Sequence, residues 1–380
     1  MDFTVPSEWT DLARTVREFC DREVEPVWRR IEDDDAVPRE VLAAAAKLGL
    51  FGLTIPTEYG GIGLPVLART LVYEALGRTH AGFVSTISAH CGIGTTALVA
   101  LASDDQKRAY LPKMASGEWI GALALTEPDA GSDAAALRTT AVRRGERWVL
   151  NGTKHLISNS SVATVFTVFA VTDATKGSQG ISAFVVPRDT KGLGVGDPQP
   201  MMGLRGSHVG RLDFTDCELP AGSLLGVAGA GYSAVLKTLA QSRVGLAARS
   251  LGAASRCLEL ARDHAKRRVQ FGRPIADLQA IQFFLADMAT EIEAARLVTY
   301  HAAWLIDQGQ AARREAAIAK LIATETYGRV VDTAVQIHGG MGYMSETPIE
   351  HYYRDARVTR LYEGTSEIQR MIIARDLLEA

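Results

Sequence analysis

The segment LYEGTSEIQR, Leu361–Arg370, carries the carboxylate of this chain best suited to acid–base chemistry. Thr365 or Ser366 is predicted to cap a final helix, with Glu367 in its first turn. That structural reading leaves Glu363 unexplained, because it stands between a tyrosine and a glycine just ahead of the helix. A carboxylate in this position can reach into a cleft and act as a general base.

A second segment, Leu125–Asp133 (LTEPDAGSD), follows a predicted strand. Its proline, glycine, serine and aspartates predict a tight loop with exposed backbone N–H groups and hydroxyls. Such a loop can hold a polar heterocycle or a phosphate. The alternative is an ordinary turn between a strand and a loop.

Two more segments follow predicted helices. In Arg267–Pro274 (RRVQFGRP), arginines at a helix end can simply offset the helix dipole, or they can bind a dinucleotide pyrophosphate with Phe271 near its adenine. In Gln336–Tyr343 (QIHGGMGY), the glycines are first of all a helix C-cap, and they also permit close approach of a ligand. A lone histidine such as His338 is more often a structural residue than a catalyst.

The chain has no G-x-G-x-x-G after a strand, no P-loop lysine, no H-E-x-x-H and no G-x-S-x-G.

These segments have to be positioned by elements in the order α, β, α. Apolar residues recur at helical spacing near the start, namely Trp9, Leu12, Val16 and Phe19.

Short β-rich runs fill residues 120–216, where the dipeptide Asn151-Gly152 predicts the turn of a β-hairpin. The helical period then returns over 232–268, 277–308 and 311–337, and such long neighbours suit a four-helix bundle.

The chain is therefore predicted to be an α+β protein of three units. Residues 1–118 form an N-terminal α-helical domain, 119–230 a middle β-domain built as a small antiparallel barrel or sandwich, and 231–380 a C-terminal α-helical bundle.

Composition excludes several classes of function. A formal charge of −3 gives no general attraction for nucleic acid or anionic lipid. The four cysteines are far apart with no CxxC pair, which argues against a zinc site and against a disulfide framework. We therefore expect no bound metal, and we expect the protein to be cytoplasmic. The first residues lack the apolar run of a signal peptide. The stretch 81–103 holds no Asp, Glu, Lys or Arg, yet its polar residues favour a buried helix pair over a membrane span.

Taken together, the segments resemble the acyl-CoA dehydrogenase family over essentially the whole chain. Residues Thr126–Asp133 match the family's TEPxxGSD signature, and Met202–Ser207 match its MGxRGS strand. Gln336–Gly342 match its QxxGGxG segment, and Leu361–Arg370 match the segment that holds its catalytic glutamate. The resemblance implies a helical N-domain, a middle β-domain and a C-terminal four-helix bundle, assembled as a homotetramer or homodimer, with FAD as cofactor.

The resemblance also implies roles for individual residues. Those expected to line the flavin are Leu125, Thr126, Ser132, Ile157 and Ser158. Those expected to reach the FAD of a neighbouring subunit are Arg268, Gln270, Phe271 and Gln279. The residues expected to approach the adenosine-diphosphate part of that FAD are Gln336, Gly339 and Gly340. The residues expected to contact the FAD again are Thr365 and Glu367. Those expected beside the thioester substrate are Ser132, Arg243, Tyr362 and Gly364.

The implied reaction is α,β-desaturation of an acyl thioester. Glu363 would take the α-proton while the β-hydride moves to the flavin. Leu156 stands where the family usually has an aromatic residue. A branched-chain subgroup has its glutamate immediately before the arginine matching Arg243, where this chain has Ser242, so the resemblance implies that the base is at 363. Ala240 stands where many CoA-using relatives have an acid. The missing acid admits a carrier-protein thioester as an alternative to acyl-CoA.

Other readings also stay open from the sequence. A flavin oxidase would pass electrons to oxygen instead of an electron-transfer flavoprotein or another acceptor. A non-catalytic flavoprotein scaffold would have no use for the base Glu363. The sequence gives neither the length nor the branching of the acyl group.

Overall fold

The computed structural model describes residues 4–379, and its first third is helical. The face predicted from helical spacing is buried, since Val16 and Phe19 lie in the N-terminal core. A π-helical turn and a short 3-10 turn connect the first helix to the second. The helices are α1 (Ser7–Phe19), α2 (Trp28–Asp34), α3 (Arg39–Lys47), α4 (Val66–Gly77), α5 (Ala81–Ala89), α6 (Thr96–Leu101) and α7 (Asp104–Ala115).

The uncharged stretch Ala81–Leu101 comprises α5, a π-helical turn and α6. Within residues 4–379 it is the one candidate long and apolar enough to cross a membrane, but 61% of its window is buried inside the protein. Phe83 and Ile87 belong to the N-terminal core, and Ala97 and Leu98 pack beneath the sheet. The stretch therefore has the packing of a core helix pair.

The middle of the chain forms one sheet of eight strands. The strands are β1 (Gly121–Ala124), β2 (Thr140–Arg144), β3 (Arg147–Ser158), β4 (Val165–Val171), β5 (Ile181–Pro187), β6 (Leu193–Val195), β7 (Val209–Pro220) and β8 (Leu224–Leu225). Their order is β6-β7-β3-β2-β4-β5-β8, with β1 beside β4.

The predicted antiparallel barrel is wrong in two respects. The sheet is open, because its edge strands β6 and β8 have three and two residues and do not pair with each other. It is also mixed, since β1 runs parallel to β4 throughout and β2 meets β4 in one parallel pair. Edge strands this short cannot close a sheet on itself.

The hairpin predicted at Asn151-Gly152 is also wrong. The turn between β2 and β3 lies at Gly145-Glu146, where Gly145 has a φ of 59°. Asn151 and Gly152 instead lie inside β3 at a β-bulge opposite β7. The Asn151 side chain accepts a hydrogen bond from the backbone N–H of Asp216 at 2.8 Å. The extra residue of this bulge lies on β7, where Asp216 has a φ of 45°, and the pair supports it from β3.

The C-terminal third confirms the predicted long helices. They are α8 (Gly231–Arg267), α9 (Gln279–Asp307) and α10 (Arg313–His338), followed by α11 (Ile349–Thr359) and α12 (Ser366–Glu379). Short strands β9 (Val269–Gln270) and β10 (Arg273–Pro274) form a hairpin between α8 and α9. Alanines dominate the buried faces of α8 and α10, which lets these helices approach closely.

Helices α4 and α8 touch through their backbones at two glycines. A Cβ on Gly77 would lie 2.1 Å from the carbonyl oxygen of Arg249, and one on Gly252 would lie 2.0 Å from that of Glu74. No side chain fits at either place, since Cβ atoms do not approach carbonyl oxygens this closely. The contact sets the spacing between two helices that are far apart in sequence.

We expect Gly252→Ala to lower the free energy of unfolding by about 1–3 kcal/mol, since overpacking forces the backbones apart. The loss should exceed the ~1 kcal/mol that alanine gains over glycine in a helix. Denaturant unfolding measures it. Gly222→Ala is the control, because a Cβ there meets nothing within 4 Å; equal stability of the two variants would refute the close contact.

Candidate active site

The carboxylate singled out in the sequence stands on an irregular turn between α11 and α12. Glu363 has a φ of 55° and Gly364 a φ of 91°, so both lie in the left-handed region. A glutamate there is strained unless its surroundings hold it. The carbonyl of Glu363 accepts from Arg243 at 3.3 Å, and that of Gly364 accepts from Lys320 and Gln369, both at 2.9 Å.

The carboxylate itself is held by α8. Ser242 donates to Oε2 of Glu363 at 2.6 Å, and Nη2 of Arg249 lies 3.6 Å from Oε1. The side chains of Arg249 and Glu363 are 11% and 14% exposed, so this ion pair is largely shielded from water. The guanidinium also lies over the ring of Tyr362, 5.1 Å from its centroid, and Nη1 donates to Ser88 at 2.6 Å.

Glu363 borders a small chamber between α4, α5 and α8. The chamber has a volume of about 20 Å³, and its lining includes Arg69, Tyr73, Ser88, Ser242 and Arg249. A larger cleft of about 680 Å³ adjoins it and runs past Thr96, Lys237 and Thr238. Arg69 and Gln241 line both cavities, so the cleft leads toward the chamber. A long ligand arm can occupy the cleft while its end reaches the carboxylate.

The Leu125–Asp133 loop is clamped to β3 by a buried ion pair. Lys154, with a side chain 0% exposed, donates to Glu127 at 2.7 Å and to the carbonyl of Leu125 at 3.0 Å. Burial lowers the pKa of Lys154 to about 8, against the opposing pull of Glu127. Although burial alone would raise the pKa of Glu127, Lys154 and the backbone N–H groups of Arg138 and Thr139 hold it below its usual value.

This clamp brings the residues expected to line a flavin together. The backbone N–H of His155 donates to the carbonyl of Thr126 at 2.8 Å, so the end of β3 lies against the loop. Leu125 and Ile157 are buried beneath it, Thr126 and Ser158 are half-buried, and Ser132 is exposed.

These residues fit a flavin. Among residues 4–379, the backbone amides of Gly131 and Ser132 have no acceptor, so they are available to a ligand. Leu156 follows His155, whose N–H reaches the loop, and it has a φ of 56° and exposes 56% of its surface. Free donors in the loop together with an exposed apolar side chain at the end of β3 suit a flat, partly polar ring.

The residues expected to serve a neighbour's FAD lie far from Glu363. Ser242 and Arg267 are 25 residues apart on α8 (267 − 242), which is about 38 Å at ~1.5 Å per residue. Phe271, at a φ of 53°, is 91% exposed at the tip of the β9–β10 hairpin. The rings of His264 and His338, 4.4 Å apart, join this region to the end of α10. The exposed residues there are Arg268, Gln270, Gln279, Gln336, Gly339 and Gly340.

The other predicted residues cluster around the base. Thr365 caps α12, since its hydroxyl accepts from the backbone N–H of Ile368 at 3.3 Å, and Glu367 is exposed in the first turn. Tyr362 lies beneath Arg249. Arg243 is 6% exposed and supports the backbone of Glu363 instead of lining the large cleft.

Sequence reasoning missed most of the chamber. Arg249 offered a signal, because it interrupts the apolar run VGLAARSLGAA. Arg69, Tyr73 and Ser88 gave none, since their convergence depends on how α4 and α5 pack against α8.

One side-chain group within residues 4–379 has the spacing of metal ligands, namely Glu32, His80 and His351. The Glu32 carboxylate is engaged by His80 at 2.9 Å and by Arg354 at 2.6 Å. Although burial would raise the pKa of Glu32, these two hydrogen bonds lower it to about 2. The group is therefore an ion-pair network that ties α2 and α5 to α11.

Comparisons with known proteins were made along the whole chain. Three family models match: "Acyl-CoA dehydrogenase, N-terminal domain" over residues 6–118, "middle domain" over 122–217 and "C-terminal domain" over 229–378. A Bacillus subtilis protein named acyl-CoA dehydrogenase is 42% identical to this chain. The match covers 98% of this chain and 99% of the Bacillus subtilis protein.

Two solved structures are also similar. Butyryl-CoA dehydrogenase from Megasphaera elsdenii superposes with a TM-score of 0.96 at 36% identity. The match covers 100% of both chains. A chain from a structure described as an electron transferring flavoprotein of Acidaminococcus fermentans has a TM-score of 0.97 at 39% identity, with full coverage of both chains.

We expect Lys154→Met to lower the free energy of unfolding by about 3–5 kcal/mol, because it leaves the buried Glu127 carboxylate without its cation. Loss of the clamp should also free the loop and speed the release of FAD. Denaturant unfolding and flavin fluorescence measure the two effects. Asp129→Asn is the control, since it breaks an exposed pair with Arg138 in the same loop that is worth only about 0–1 kcal/mol. A Lys154→Met protein as stable as the control would contradict the clamp.

Proposed function

The chain belongs to the acyl-CoA dehydrogenase family of FAD-dependent oxidoreductases, and we propose that it desaturates a short acyl-CoA with Glu363 as its base. The observation that carries the assignment of the base is the placement of the Glu363 carboxylate on the wall of the chamber at the inner end of the large cleft. The cleft has room for a pantetheine arm, and the chamber, with about 20 Å³ free, has room for the end of a short acyl group.

The residues around Glu363 prepare it to receive a proton. Ser242 fixes Oε2, which leaves Oε1 toward the chamber beside Arg249. Among residues 4–379 the backbone N–H of Glu363 has no acceptor, so it can donate to the thioester carbonyl as negative charge develops there. The FAD cofactor supplies the acceptor for the β-hydride. The product is a 2-enoyl thioester.

The proposal of a short acyl group rests on the chamber. Ser88 and Arg249 are joined by a 2.6 Å hydrogen bond across it, and only about 20 Å³ remains free. The similar butyryl-CoA dehydrogenase is named for a four-carbon acyl group. A carrier-protein thioester could use the same cleft, because Ala240 provides no polar group for the carrier end.

We propose an electron-transfer flavoprotein as the electron acceptor, on the similarity to the Acidaminococcus fermentans chain. Oxygen is the alternative for an oxidase on this fold. Comparing aerobic turnover without a protein acceptor with anaerobic turnover in its presence separates the two.

We further propose that chains assemble so that each FAD is shared between two of them, in a homotetramer or homodimer. The support is the exposed surface about 38 Å along α8 from the base, where Phe271 and Tyr343 are 91% and 86% exposed. A subunit contact here would remove the apolar surface of these two rings from water. The four cysteines are buried free thiols, which supports a cytoplasmic location.

Glu363→Gln should bind substrate but reduce flavin about 10²–10⁴-fold more slowly, because the amide has nearly the size of the carboxylate and cannot take the α-proton. Anaerobic titration with acyl-CoA thioesters, followed by stopped-flow absorbance of the flavin, measures both quantities. Flavin reduction within a few-fold of the wild-type rate would mean that another residue is the base. No flavin reduction in the wild type with any thioester would refute the proposed activity.

Arg268→Ala should lose FAD more readily and shift the assembly toward smaller species, because cofactor and subunit contact are linked through this surface. Light scattering with absorbance detection reports both. Arg262→Ala is the control on the same helix, where Arg262 pairs only with its exposed neighbour Asp263. A wild-type monomer that retains FAD tightly would contradict the shared site.

A further inference from the structure

The chamber beside Glu363 contains donors without acceptors. Within residues 4–379, three buried side-chain atoms that lack any hydrogen-bond partner belong to its lining: the hydroxyl of Tyr73, Nε of Arg69 and Nε of Arg249. Tyr73 is 5% exposed, so its hydroxyl is largely shielded from bulk water. A buried donor without an acceptor is costly, and three around one cavity indicate a missing acceptor.

The chamber also has more positive than negative charge. Arg69 and Arg249 line it, whereas Glu363 is the one carboxylate in the lining. Arg69 has no ion pair within residues 4–379 and donates only to the neutral Gln241 at 3.1 Å. Glu74, which lies nearby on α4, is already bound by Arg296 at 2.9 Å and by Tyr300 at 2.8 Å. The charge of Asp307 acts on Arg69 from outside the lining, where the Asp307 carboxylate accepts from the backbone N–H groups of Val66 and Leu67. No group in the chamber itself forms an ion pair with the Arg69 guanidinium.

An unbranched hydrocarbon chain does not suit this lining. Burying methylene groups against two guanidinium groups desolvates both and leaves that of Arg69 without an ion pair. A carboxylate, in contrast, accepts from several donors at once and pairs well with arginine. Ser88 fixes one end of the Arg249 guanidinium while Nε remains unpaired.

From this geometry we infer that the natural acyl group ends in a carboxylate, which Arg249, Tyr73 and Arg69 bind in the chamber. The substrate class is a CoA thioester of a short dicarboxylic acid. The inference rests on the proposed function and narrows its substrate.

The same contact would regulate the base. Arg249 lies 3.6 Å from Oε1 of Glu363, the oxygen that Ser242 leaves free to take the proton. A substrate carboxylate competes for this guanidinium and draws it away from Glu363. The α-proton then passes to Oε1, the β-hydride leaves with its electron pair to FAD, and a double bond forms between the two carbons. A neutral acyl group leaves Arg249 paired with the base.

The test compares thioesters matched in carbon number on the FAD-loaded enzyme. Succinyl-CoA and glutaryl-CoA are set against butyryl-CoA and pentanoyl-CoA in anaerobic flavin reduction. We expect kcat/KM to favour the carboxylated member of each pair by roughly 10- to 100-fold, as for a hydrogen-bonded charge. Binding of the products is measured separately from flavin absorbance changes, and fumaryl-CoA should bind more tightly than crotonyl-CoA, which has the same number of acyl carbons.

Two variants test the residues. Arg249→Gln should bring the ratio of kcat/KM values close to unity. Tyr73→Phe removes only the unpaired hydroxyl and should lower the ratio several-fold. This second variant tests the inference if Arg249→Gln does not fold. Arg262→Gln, an exposed position on the same helix, should leave the ratio unchanged.

Equal or better use of the neutral thioesters would overturn the inference and leave the proposed dehydrogenase standing. A preference that survives both Arg249→Gln and Tyr73→Phe would overturn it as well. The absence of flavin reduction by all four thioesters would refute the proposed function, and the inference with it.

Discussion

The backbone contact between α4 and α8 is the constraint on which the site depends. Gly77 and Gly252 let these helices approach until carbonyl oxygens lie where a Cβ would be. That spacing brings Tyr73 of α4 to the same chamber as Ser242 and Arg249 of α8. A wider separation would enlarge the chamber, and water would screen the pair formed by Arg249 and Glu363. The electrostatics of the base therefore follow from two residues that carry no functional group.

A second feature is the support of a strained base. The left-handed φ of Glu363 is held by donors to its own carbonyl and to that of Gly364, which come from α8, α10 and α12. Burial lowers the pKa of one of these donors, Lys320, to about 8, although Glu363 acts in the opposite direction. Three helices thus fix two successive peptide units, so the carboxylate keeps its direction when substrate enters. Such fixed placement is what an enzyme contributes to a proton transfer between weak partners.

The sequence predicted the parts of the fold that depend on local pattern. The long helices α8, α9 and α10 appear within a few residues of the predicted ranges, because their apolar period extends over many turns. Glu363 was identified because a helix cap explains its neighbours but not the carboxylate itself. The open sheet could not be predicted, since closure depends on edge strands of two or three residues that carry little signal. Asn151-Gly152 misled because the conformational freedom of glycine, here used at a φ of 144°, suits a strand position beside a bulge as well as a turn. The chamber was missed because Tyr73 and Arg249 are 176 positions apart (249 − 73), and only tertiary packing brings them together.

The length of α8 separates two tasks within one chain. One end holds Glu363 through Ser242, and the other, about 38 Å away, carries Arg268 beyond its last turn. On the proposed shared-cofactor assembly, a chain damaged at one end still offers an intact opposite end to its neighbour. Two differently defective alleles could then complement each other in a mixed assembly, while either alone would be inactive. The inheritance of defects in this protein would accordingly follow which end of a single helix is altered.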